Sequence, residues 1–113
     1  MNIERIRNLI RAFYPYAKEK LGFDKPVRVK YIIDDLENYN DPLGKTAYYA
    51  PDEKMITLFT LNRHPKDILR SFAHELTHHA QHCRGEFGDE KHNYKMVMLK
   101  TIHICAKWKK KHI

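Results

Sequence analysis

The sequence predicts an α+β domain: an N-terminal helix, a small mixed β-sheet containing a hairpin, and a histidine-bearing helix packed against that sheet. Three observations lead there. Apolar residues recur at helical spacing near the N-terminus and again after Pro65. The stretch between them holds three short β-prone runs separated by turn formers. The 113 residues are 42% apolar and 31% charged, enough for one core and too apolar for a disordered chain.

In the first helix, Ile3, Ile6, Leu9, Ile10, Phe13 and Ala17 share one face, and Leu21-Gly22 supplies a stop. Glu4 and Glu19 and the direct run into folded-looking sequence favour a core-covering helix over a targeting peptide. Pro26 opens an extended segment, and "VRVKYII" over residues 27–33 is β-branched and partly alternating, as a strand requires. "DDLENYNDPLG" reads as a polar loop. Runs 46–50 and 55–60 flank Pro51-Asp52 and read as a hairpin. From Pro65 the period changes. Ile68, Leu69, Phe72, Ala73, Leu76 and Ala80 lie on one broad helical face until Gly85, which predicts a helix over about residues 66–84.

That helix carries His74-Glu75-Leu76-Thr77-His78, an HExxH. Four residues advance an α-helix by about 400°, so the two imidazoles lie ~40° apart on one face, one turn apart. Two imidazoles so placed can bind one Zn²⁺. Glu75 is beside them, close enough to act as general base on a water acidified by the metal, and then to protonate a leaving amine. A solvated histidine-rich helix face is the competing reading. Among the neighbours, His79 points ~100° from His78 and is expected at the surface, with Thr77, while Leu76 is expected in the core. His82 continues the row less favourably, Cys83 reads as a buried or idle thiol, and His64 as loop. Tyr48 and Tyr49 read as strand packing, with a hairpin tyrosine as a donor to an oxyanion as the alternative.

The net charge is +7, but five lysines and no acid fall in "MVMLKTIHICAKWKKKHI", residues 96–113. The basicity is therefore mostly a C-terminal property, and Trp108 alone gives too little aromatic surface for a convincing nucleic-acid site. Two cysteines outside any CxxC fit a reducing compartment, hence a cytoplasmic protein, and no apolar run would span a bilayer.

The run "LGKTAYYAPDEKMITLFTLNRHPKDILRSFAHELTHHAQHCRGEF" resembles the small zincin metallopeptidases of tailed phages, broadly related to SprT-like and minimal gluzincin groups. The resemblance covers residues 43–87 closely and the N-terminal part more loosely. It implies a minimal zincin-like domain over residues 1–95, peptidase chemistry in the host cytoplasm, His74 and His78 as zinc ligands and Glu75 as base. It also implies that the strand before the motif helix, Met55–Thr60, lies at the sheet edge and pairs with an extended peptide substrate.

A catalytic zinc takes three protein ligands and keeps one open position. The SprT-like pattern implies a downstream histidine, which His92 fits roughly; Glu86 and Glu90 stand nearer the motif than the gluzincin pattern expects. The phage proteins resembled carry an acidic "EEEAY"-like run that this chain lacks. Reading the degenerate codons of Lys95–Ile113 shifted forward by two nucleotides permits "DGYAQDDPHLRKMEEEAY". This predicts a frameshift near Lys95 that displaces the third ligand and leaves residues 96–113 as an unselected basic segment, helical in part. A divergent member with a genuine basic C-terminal helix is the alternative. The second functional reading is a catalytically degenerate zincin or a basic DNA-associated binding module using the lysine-rich tail.

Overall fold

The computed structural model describes residues 3–42, 44–83, 99, 102–108 and 110. Its elements run α1 (Ile3–Leu21), β1 (Arg28–Ile32), α2 (Leu36–Asn40), β2 (Ala47–Ala50), β3 (Met55–Phe59) and α3 (Pro65–Cys83). Residues 102–108 are also helical, as are the described residues 99 and 110 of the basic segment. The result is a small α+β domain with a three-stranded mixed sheet.

The predicted spacing places α1 correctly: Ile6, Ile10, Phe13, Ala17 and Leu21 form its buried stripe. Gly22 ends it with a positive φ of 76°, a conformation that costs glycine little. Its N–H returns to the Lys18 carbonyl at 2.9 Å. Residues 34–44, expected to be a polar loop, contain the short helix α2. Asp35 caps it by accepting from the Asn38 N–H, and the Asn38 amide bonds the Lys45 backbone in both directions. These side-chain bonds, rather than apolar periodicity, hold that turn together.

The strand order is β1-β3-β2, with β1 parallel and β2 antiparallel to β3. The β2–β3 hairpin forms as expected, but β3 is the central strand and not the edge. The free edges among the described residues belong to β1 and β2. The cause is non-local: the chain crosses over so that β1 takes the side of β3 that a hairpin alone would leave open. The register aligns Val29, Ile56 and Tyr49 across the sheet, and Tyr31, Leu58 and Ala47 two residues further along. Those rows meet the helices, and Ile56 and Leu58 are wholly buried.

Helix α3 lies against α1, β2 and β3. Phe13 and Phe72 meet edge-on with ring centroids 6.2 Å apart, and Trp108 packs on Phe13 at 5.4 Å. Ile104, Cys105 and Trp108 thus belong to the same core as α1 and α3. Arg63 fixes the entry into α3. Its guanidinium donates to the Thr46 and Phe59 carbonyls at 3.0 and 2.9 Å, to the Asp67 carbonyl at 3.2 Å and to Ser71 Oγ at 2.8 Å. His64, expected to be plain loop, is the N-cap: its carbonyl accepts from Asp67 and Ile68, and its Nδ1 from the Lys66 N–H at 3.1 Å.

Candidate metal centre

The HExxH lies in the middle of α3, the helix that packs against both α1 and the sheet. His74 and His78 converge as the one-turn spacing predicts, with Nε2 atoms 3.1 Å apart and ring planes at 85°. With zinc–nitrogen bonds of 2.0–2.1 Å, that separation corresponds to a ligand–metal–ligand angle of about 100°, close to tetrahedral. The pair therefore fits one half of a zinc site.

His78 Nδ1 is 3.2 Å from the amide oxygen of Gln81. An amide oxygen only accepts, so Nδ1 carries a hydrogen and donates, and Nε2 is the ring atom turned to His74. Gln81 is buried one turn below and performs the outer-sphere task of setting the tautomer. The sequence reading did not single it out; its i, i+3 spacing from His78 was the available signal. Burial, and then the neighbouring His78, pushes the His74 pKa down, which keeps its ring neutral and able to coordinate.

Glu75 is half-buried, and among the described residues it has no hydrogen-bond or ion-pair partner. Burial raises its pKa to about 7. A carboxyl poised there exchanges protons readily near neutral pH, as a general base must. On the helical wheel Glu75 falls between the His74–His78 pair and His79, and the His79 side is the one that faces β2.

Two neighbours depart from expectation. His79 is not at the surface: it is 0% exposed, with Nδ1 2.7 Å from the Tyr49 hydroxyl and Nε2 2.7 Å from the Lys25 carbonyl. Burial lowers its pKa despite the opposing bond to Lys25. Thr77 is likewise buried, its hydroxyl donating to the Ala73 carbonyl at 2.9 Å. The sheet and α1 clasp α3 from two sides, so its buried sector extends past the apolar residues. Leu76 is in the core as predicted. His82 stands beside the Tyr49 ring, with centroids 6.3 Å apart, and Cys83 is half-buried. Tyr48 faces outward, under the Lys45 ammonium and near Phe59.

Among the described residues no group of three histidine, cysteine, aspartate or glutamate side chains is placed to hold one metal ion. The third-ligand candidates His92, Glu86 and Glu90, and the frameshift point at Lys95, lie outside the described residues. Among the described residues no helix is long and apolar enough to cross a membrane. Comparisons with protein-family models, curated proteins and solved structures find no match.

Proposed function

We propose that the chain is a zinc-dependent metallopeptidase of minimal zincin type. The observation that carries this reading is the convergence of His74 and His78, in an HExxH beside a carboxyl whose pKa burial raises to about 7. The resemblance of residues 43–87 to small phage zincins supports it from the sequence side.

When bound, zinc polarises the scissile carbonyl and makes water acidic enough to react at neutral pH. His74 and His78 hold the ion through Nε2, and Gln81 holds the His78 ring in the coordinating tautomer. Glu75, as carboxylate, takes a proton from the attacking water at its side-chain oxygen. It then delivers that proton to the departing amine nitrogen, returning to its starting state. The peptide lies extended along the outer edge of β2, which pairs with no other strand among the described residues. The third ligand comes from beyond Cys83, from His92, Glu86 or Glu90; under the frameshift reading this chain lacks it, and two imidazoles alone hold the ion weakly.

The test pairs metal content with hydrolysis of an unstructured protein substrate. Wild type is expected to hold zinc and cleave, and Glu75→Gln to hold zinc without cleaving. A Glu75→Gln chain that cleaves at the wild-type rate removes Glu75 as base. A wild type that holds zinc without cleaving leaves a binding module.

A further inference from the structure

His79 takes no part in the steps above, yet both of its ring nitrogens are committed. Nε2 lies 2.7 Å from the Lys25 carbonyl, which can only accept, so Nε2 carries a hydrogen. Nδ1 of the neutral ring then holds the lone pair, and the Tyr49 hydroxyl donates to it at 2.7 Å. Phe23 stands edge-on to the ring with centroids 4.9 Å apart, and Cys83 Sγ lies 3.6 Å from Nε2. One buried ring thus joins β2, the segment between α1 and β1, and α3.

We infer that His79 is the positioning residue of the metal site: its two opposed hydrogen bonds fix the rotation of α3 about its axis, holding the His74–His78 pair and Glu75 in a set orientation relative to β2. This rests on the zinc reading above. The geometry makes rotation the sensitive coordinate. A side-chain atom about 6 Å from a helix axis moves about 1 Å for each 10° of rotation. Rotation carries His74, His78 and Glu75 together, so it changes their fit to any group supplied from outside α3, and metal–ligand bonds tolerate only about 0.2 Å of error. Apolar contacts of α3 are non-directional, whereas short hydrogen bonds on opposite sides of one ring also fix direction. Tyr49 occupies the same strand that would align a peptide, so the contact that sets the helix also sets the strand against which it works.

The test uses three variants of the full chain. His79→Phe keeps a ring and removes both bonds. His79→Gln retains an N–H donor for the Lys25 carbonyl. Tyr49→Phe keeps the strand packing and removes only the hydroxyl. The first readout is the ring ¹⁵N resonances of His74 and His78 in metal-free protein, and the second is Co²⁺ affinity from visible absorption. His79→Phe and Tyr49→Phe are expected to shift both sets of ring resonances and weaken Co²⁺ by about tenfold, the usual scale for outer-sphere partners. His79→Gln is expected to recover part of that loss. A folded His79→Phe chain with wild-type ring resonances and wild-type Co²⁺ affinity overturns the inference, leaving His79 a core residue. If His79→Phe does not fold, Tyr49→Phe decides by the same criteria. If wild type takes up no Co²⁺, the zinc reading fails on its own, and the ring resonances alone decide whether His79 positions the pair.

Discussion

Glu75→Gln tests the environment of the proposed base without any substrate. Burial raises the folded-state pKa of Glu75 from 4.5 to about 7. The folded protein therefore keeps a proton that the unfolded chain releases between those values. Stability tied to the protonated carboxyl is present below about pH 4.5 and is lost as pH rises through about 7. Fully converted, that shift is worth about 3 kcal/mol; partial solvation of the carboxyl reduces it to about 2 kcal/mol. Glutamine is neutral at every pH and nearly the same shape, so the variant escapes the penalty. In chelator, urea unfolding at pH 8 should find Glu75→Gln more stable than wild type by about 2 kcal/mol, or roughly 8 °C in Tm. At pH 4.5 the two should unfold together. Equal stabilities at both pH values, or a variant less stable at pH 8, would show that Glu75 is not desolvated in the fold.

Other perturbations reach the outer-sphere partner of the metal pair, the core and the loop before β2. Gln81→Ala removes the acceptor that holds the His78 tautomer, and zinc affinity by competition with a chromophoric chelator should fall at least tenfold with secondary structure by circular dichroism unchanged. Trp108→Ala empties a core position against Phe13 and should cost about 3–4 kcal/mol in urea unfolding; a loss under about 1 kcal/mol would remove residues 102–108 from the core. Gly44→Ala puts a Cβ against the Asn38 and Asp41 carbonyls, both backbone, and should destabilise the chain by about 1–3 kcal/mol without altering zinc affinity.

The local elements were legible because their signals are local. Helical spacing placed α1 and α3, and β-branched runs placed the three strands to within a residue or so at each end. The HExxH pair was legible for the same reason, since one helical turn brings His74 and His78 together whatever the rest of the chain does. Relations between distant segments were not. That β3 is central depends on a parallel pairing with β1, across more than 20 residues, which no short pattern encodes. Helix α2 rests on Asp35 and Asn38 side chains bonding to backbone, in a composition that also suits a loop. Position along α3 alone turns His79 about 100° from His78 and toward the surface, with Thr77 as neutral helix surface. Their burial follows from how α3 is clasped on two sides, and from partners in β2 and beside β1 that spacing along α3 does not reveal.

Zinc stoichiometry by calorimetric titration, on wild type, His74→Ala and His78→Ala side by side, asks whether the imidazole pair holds a metal ion. One zinc per wild-type chain is expected, with that binding lost in each variant. A wild type without stoichiometric zinc, or variants that bind it as wild type does, would contradict the zinc reading.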